Sequence, residues 1–274
     1  NGMNIENAVK LIRGKKGTQV TLGLKRYDQL ILIPLIRDRI EIHVVESQLK
    51  TSTSGKNIGY IRLKQFNAKA TNEMRNAIKK LEGKKALGYV LDLRSNPGGL
   101  LESSVQIARQ WLDEGTIVST QTRDGIKDIR RANGTALTSS PVVVLVNEGS
   151  ASASEILSGA IQDNKRGILV GEKTFGKGLV QSVRGLSDGS GLTVTIAKYL
   201  TPSGTDIHMN GINPDIYAKL SEIDSSALKK EDLGTSKDNQ YRIAENYLLK
   251  SIQTTVNDKA YNPRSSNLLS ALKH

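Results

Sequence analysis

Apolar residues recur along this chain with two different periods, and each change of period marks a new element. Met74, Ala77, Ile78 and Leu81 fall at i, i+3, i+4 and i+7, which predicts a helix with one buried face, ended by Gly83. Leu101, Val105, Ala108 and Leu112 repeat the pattern, as do Ile156, Leu157, Ala160 and Ile161. Between these helices stand short β-branched or aliphatic runs: Gly59–Leu63, Tyr89–Leu93, Ile117–Thr120, Val142–Val146 and Ile168–Val170. Such runs are too short for helices and read as buried strands. Strand and helix alternating in this way predict stacked βαβ units over 58–220.

The flanks differ. Ile5, Ala8, Val9 and Ile12 make an apolar stripe, and Val20, Leu22 and Leu24 alternate within Thr18–Arg26, so 1–27 reads as a helix followed by a strand. Ile31–Val45 is strand-like but broken by Pro34 and a charged turn near Asp38, and Gln48–Asn57 reads as a polar turn, so 28–57 is expected to connect two units. The polar stretch between Gln121 and Ser140 is expected to form a hairpin or surface flap, and Leu192–Leu200 to return to the sheet of the βαβ units. Residues 221–274 are polar, apart from Tyr241, Ala244, Tyr247 and Leu248, which predict a helical tail packed on the body.

Composition narrows the chemistry. A chain of 274 residues can bury one sizeable core, and no segment is long and apolar enough to span a membrane. It opens at Asn1, inside what reads as an element and without a signal segment, as a truncated or processed product would. The absence of cysteine excludes thiol nucleophiles and thiolate metal sites, and the separation of His43, His208 and His274 argues against zinc. A net charge of +12 would draw the surface to anionic membranes or nucleic acid, but without an aromatic stacking platform nucleic acid is not expected. The charge reads first as a solvated basic surface, with peripheral association with an anionic membrane as the alternative.

One stretch concentrates the candidate chemistry. After the strand Val142–Val146 comes a turn of small residues, Gly149 to Ser154, that places Ser152 at a helix N-terminus, where backbone N–H groups favour developing negative charge. A serine hydroxyl needs a base. Neither His43 nor His208 has a neighbouring acid suggestive of a triad, and Ser152, flanked by alanines, does not fit G-x-S-x-G. Lys177, between Gly176 and Gly178 beyond the next strand, is the remaining candidate. To act as a base its pKa must fall from about 10.4 to roughly 7 or 8, on the order of 4 kcal/mol, which predicts an amine held out of water. Gly171–Lys177 also spells G-x-x-x-x-G-K, but Gly178 stands where a phosphate loop needs a hydroxyl residue, so nucleotide binding is not expected.

LDLRSNPGG at Leu91–Gly99, GSASASEI at Gly149–Ile156, QDNKR at Gln162–Arg166 and VGEKTFGKGLVQ at Val170–Gln181 together resemble the carboxyl-terminal-processing (tail-specific) serine peptidases. YLTPSG and GINPD, between Tyr199 and Asp215, extend the likeness. The resemblance implies a crotonase/Clp-protease-like α/β core with a PDZ segment before it, of which 1–27 would be the closing helix and last strand. It implies Ser152 as nucleophile, Lys177 as general base and Gln181 as the residue orienting the lysine. The N–H groups of Ala153 and Gly98 (or Gly99) would form the oxyanion hole, and Asp163 would lend structural support. In the family a PDZ arginine can help to switch the site; Arg26 is the candidate position, with the end cap of a strand as its alternative reading.

The implied substrate is a protein or peptide with a free C-terminus, cut without cofactor or metal in a periplasm or thylakoid lumen, where relatives trim a photosystem II reaction-centre precursor. A non-catalytic binding protein and a crotonase-like acyl-CoA enzyme are the alternatives on the same fold. Four residues of strand would separate Lys177 from Gln181 by about 13 Å and one helical turn by about 6 Å, so direct orientation predicts a helical turn there.

Overall fold

A run of five β-branched or aliphatic residues, all buried, forms the centre of the molecule: strand β8, Val142–Val146. In this computed structural model the described residues are 3–39, 43–220 and 232–261. They fall into two units, Asn1–Ile42 and His43–His274.

The first unit holds helix α1 (Ile5–Ile12) and a hairpin of β1 (Gln19–Arg26) and β2 (Gln29–Ile36), with Gln19 opposite Ile36. The unit therefore runs past residue 27, because the strand after the turn at Tyr27–Asp28 folds back onto β1 instead of leading away. Pro34 is accommodated within this two-stranded ribbon. No residue of 3–39 is buried, and Ile5, Leu30, Leu32 and Ile36 stay exposed. So small a piece cannot close a core around its apolar side chains.

The second unit is built on a six-stranded sheet in the order β12, β9, β8, β5, β4, β3. Strands β4 (Asn57–Leu63), β5 (Tyr89–Asp92), β8, β9 (Gly167–Gly171) and β12 (Ile216–Tyr217) are parallel, and β3 (Val45–Thr51) is antiparallel at one edge. Residues 48–51, expected in a polar turn, pair in register with β4, so the turn shrinks to 52–56.

Both faces of this sheet are covered, as a parallel sheet requires. On one, α2 (Ala70–Gly83), α3 (Leu101–Ala108) and α4 (Ala153–Asp163) pack through Met74, Ile78, Leu81, Val105, Ile156 and Leu157 onto Ile61, Leu91, Val144 and Leu169. On the other, α5 (Asn239–Tyr261) places Tyr241, Ala244 and Leu248 against Ile58, Val90, Val143 and Leu145. Of the tail expected over 221–274, this helix is the described part, and 221–231 and 262–274 lie outside the described residues. No helix among the described residues is long and apolar enough to cross a membrane.

A second, antiparallel sheet runs β10 (Leu179–Gly185), β11 (Gly191–Leu200), β6 (Thr116–Thr122), β7 (Gly125–Arg131). The β6–β7 hairpin falls where a hairpin or flap was expected but begins earlier, at Thr116. Ile117–Thr120, expected in the stacked βαβ series, and Leu192–Leu200, expected to return to that sheet, therefore pair antiparallel here instead.

A buried ion cluster, Asp92, Arg94 and Asp238, ties β5 to the start of α5. Burial pushes the Asp92 carboxyl up, but the Arg94 charge and hydrogen bonds from Arg94 and Tyr60 outweigh it and hold the group below the usual carboxylate range. A depressed folded-state pKa adds stability that is fully present above the unfolded value of about 4 and is lost as pH falls through the folded value. Thermal melts should therefore show this contribution unchanged near neutrality and disappearing below about pH 4. A melting temperature that does not fall in acid would contradict the assignment.

Candidate active site

The chain leaves β8 into a turn of small residues because the space there is already filled by backbone. Ser150 Oγ donates to Leu93 O at 2.8 Å and accepts from Asn147 N, and the Ala151 N–H donates to Asn96 O at 3.0 Å. Ser152 caps α4 at φ +55°, ψ −112°, a conformation that L-residues adopt only under constraint. Strand, tight turn and helix thus present this serine much as a nucleophile elbow would, although G-x-S-x-G is absent.

The loop after β5, whose Ser95 is 52 residues from Asn147, lies against this turn. A Cβ added to Gly98 would stand 2.6 Å from Ala151 O, 2.9 Å from Ala153 N and 2.9 Å from Ser152 Cβ, so only glycine fits. Gly98 has φ +98° and Gly99 φ +144°. Buried Asn96 holds the two segments together. Its backbone oxygen accepts from Ala151 N and Ser154 Oγ, its Nδ2 donates to Leu63 O, and its Oδ1 accepts the Gly98 N–H at 3.0 Å. The Gly98 amide is therefore engaged. The N–H groups of Ala153 and Gly99 have no acceptor among the described residues, and Ala153 begins α4, where the helix dipole adds to their pull on an anion.

The lysine loop is organised by a residue that the sequence reading did not single out. Glu155, fully buried on the first turn of α4, accepts four hydrogen bonds on its carboxylate. Oε2 takes the backbone N–H of Ser152 at 2.7 Å and that of Lys177 at 2.9 Å. Oε1 takes Thr174 Oγ1 at 2.6 Å and Gly176 N at 2.7 Å. One oxygen thus holds the backbones of both candidate dyad residues. Phe175 N donates to Ser150 O as a further tie. The signal was legible as S-x-x-E, a capping box, at Ser152 and Glu155.

Gly176 and Gly178 let this loop lie against the turn at 207–211, where added Cβ atoms would meet Gly211 N at 3.0 Å and His208 N at 2.5 Å. Asp206 braces that turn, accepting from His208 N and Lys198 Nζ, each at 2.8 Å. Burial raises the Asp206 carboxyl, but those two partners more than offset it and hold it below the usual range.

Two expectations are corrected. Lys177 is exposed, and among the described residues its amine makes no hydrogen bond or ion pair, so it is not held out of water. Leu179–Gly185 is a strand, with a register shift between Val180 and Gln181, and not a helical turn. Pairing with β11 and the bond from Tyr199 N to Gly178 O decide this, and Gln181 is exposed along the strand. The same strand removes the phosphate-loop reading, since no helix follows Lys177.

Asp163 ends α4 and accepts Ser203 N at 2.9 Å, a structural tie between helix and loop. His43 does have an acidic neighbour, Glu73, at 3.3 Å, but the same carboxylate is held by the Val44 and Val45 amides beside β3. Arg26 is the last residue of β1.

The description "Peptidase family S41" matches this chain over residues 57–218, more than half its length. The chain belongs to peptidase family S41. Across 215 residues it is 51% identical to a carboxyl-terminal-processing protease of Synechocystis sp., covering 78% of this chain and 50% of the relative. It is 45% identical over 219 residues to carboxyl-terminal-processing peptidase 2, chloroplastic, of Arabidopsis thaliana, covering 78% of this chain and 42% of that one. The solved photosystem II D1 C-terminal processing protease superposes with a TM-score of 0.62 at 38% identity, covering 80% of this chain and 60% of that structure. The resemblance to carboxyl-terminal-processing peptidases therefore holds, and the chain spans about half the length of the curated S41 relatives it matches.

Proposed function

We propose that this chain carries the catalytic core of a carboxyl-terminal-processing serine peptidase, with Ser152 as nucleophile and Lys177 as general base. The observation that carries the reading is the Glu155 carboxylate, which binds the backbones of both residues through one oxygen. Ser152 Oγ attacks the scissile carbonyl carbon while its proton passes to the neutral Lys177 amine. The C–N bond then breaks as that proton moves to the leaving amine. Water opens the ester by the same route, giving its proton to Lys177 and restoring the serine hydroxyl. The Ala153 N–H stabilises the oxyanion with a donor from the 95–99 loop. Gly99 is the donor available in this conformation, whereas Gly98 would first have to give up Asn96.

With Lys177 exposed, this arrangement is a resting one, and substrate binding brings the amine onto the serine. Gln181 takes no part while 179–185 is a strand, and Asp163 keeps its supporting role. The first unit, with its helix, hairpin and open apolar side chains, serves as part of a PDZ module. The substrate is a protein with a free C-terminus, met in a periplasm or thylakoid lumen.

The test is mass spectrometry after treatment with a fluorophosphonate, which should place one adduct on Ser152. A binding protein or an acyl-CoA enzyme of this fold would carry none, and that result would overturn the reading.

Association with an anionic membrane is supported by α2. Its carboxylates turn inward, Glu73 to the Val44 and Val45 amides and Glu82 to the Tyr89 hydroxyl, leaving Lys69, Lys79, Lys80, Lys84 and Lys85 exposed. Each such cation near an anionic surface adds about 1 kcal/mol. The protein should co-sediment with phosphatidylglycerol vesicles at low salt and lose that binding when Lys79, Lys80, Lys84 and Lys85 become glutamate. Equal binding to neutral vesicles would exclude this face as the cause.

A further inference from the structure

The loop carrying Asn96, Gly98 and Gly99 begins one residue after Arg94, and Arg94 is among the most completely bonded side chains described. It is 6% exposed. Nε donates to Asp92 Oδ1 at 3.0 Å, and Nη2 donates to Asp92 Oδ2 at 2.6 Å and Asp238 Oδ2 at 2.7 Å. Nη1 donates to Asp238 Oδ1 at 3.1 Å and Gln240 Oε1 at 2.9 Å. All five guanidinium donors thus have acceptors, which fixes the plane of the group as well as its position.

Three of those five bonds end on residues beyond the span, 57–218, that matches the family. Those residues are themselves held. Asp238 accepts Gly234 N at 2.9 Å and Tyr241 N at 3.1 Å, and Gln240 Nε2 donates to Ala218 O at 2.7 Å. Both Asp238 and Gln240 are buried, at 0% and 1% exposure.

We propose that Asp238 and Gln240 are positioning residues for the oxyanion side of the site, acting through Arg94 on the loop 95–99. The path is continuous. The clasp sets the end of β5, and Ser95 (φ +56°) then turns the chain, with its N–H on Asn147 Oδ1 at 2.7 Å. Asn96 next fixes both Gly98 and the Ala151 amide of the nucleophile turn. A buried guanidinium held by only one carboxylate can tilt, and a donor displaced by about 1 Å is enough to lower turnover roughly a hundredfold. The start of α5 is therefore a working part of the catalytic core as well as its cover.

This inference rests on the acyl-enzyme reading above. Its test compares two variants of this chain. Asp238→Asn removes the charge and half of the bidentate grip while leaving Asp92 to neutralise Arg94. Leu248→Ala loosens the same helix from the sheet without touching the clasp.

In Asp238→Asn, kcat for a peptide substrate should fall about tenfold or more with KM within about twofold, fluorophosphonate labelling should slow by the same factor, and amide hydrogen exchange at 95–99 should speed up. Leu248→Ala should lower the melting temperature but leave kcat and loop exchange unchanged where the protein is folded. Wild-type kcat and loop exchange in Asp238→Asn would overturn the proposal, as would an equal loss of kcat in Leu248→Ala. A wild-type protein that forms no Ser152 adduct overturns the acyl-enzyme reading instead, and loop exchange then still decides whether the clasp positions the loop.

Discussion

Replacing Lys177 by alanine is expected to abolish peptide hydrolysis while leaving the fold intact. The side chain is exposed and its amine is bonded to no other group among the described residues, so the change should alter stability by no more than about 0.5 kcal/mol. Activity should nevertheless fall by about 10⁴-fold or more, because a serine hydroxyl without a base is a poor nucleophile. Lys177→Arg should be equally inactive, since guanidinium stays protonated and cannot accept the serine proton. Steady-state hydrolysis and Ser152 labelling check both. Near-normal rates in either variant would remove the lysine from the mechanism.

The second large effect concerns Glu155, and here stability and activity should fall together. Glu155→Ala leaves four donors around a buried void, among them the backbone amides of Ser152, Gly176 and Lys177. Stability should drop by on the order of 3–5 kcal/mol, the cost usual when a buried charged acceptor is removed from its partners. Glu155→Gln keeps the shape but turns an NH₂ toward N–H groups, so it should rescue only part of the loss. Where it is folded, kcat should still be about a hundredfold down, because the two backbones are no longer held on one atom. Thr174→Val removes one donor and should cost only about 1–2 kcal/mol. Denaturant unfolding and kinetics at one temperature separate these outcomes. A stable, fully active Glu155→Gln would show that the shared oxygen is incidental.

Much of the architecture could be read from periodicity. The stripe of Met74, Ala77, Ile78 and Leu81 does face the core, and the valine run of β8 is buried throughout, because the strands of a parallel sheet covered on both faces carry no polar side. The strand–turn–helix that presents Ser152 was equally plain, since small residues between a strand and a helical stripe permit the tight turn and close backbone approach that such a presentation needs. Where the local signal and a functional requirement disagreed, the local signal won. Leu179 and Val180 have strand character, and 179–185 became a strand despite the helical turn that Gln181 would have needed.

From its own residues the chain dictates which segments are helix or strand, which faces turn inward, and that a serine stands at a helix start with a lysine between glycines. Those properties depend on neighbours a few positions away. Folding alone decided that Glu155 would bind Ser152 and Lys177 through one atom, that Asn96 would take the Gly98 amide, and that Arg94 would be clasped from α5. It also decided that the lysine amine would stand in water. A buried carboxylate, amide or guanidinium must find partners, yet which distant segment supplies them depends on the packing of the whole sheet and its layers, and no local pattern records that choice.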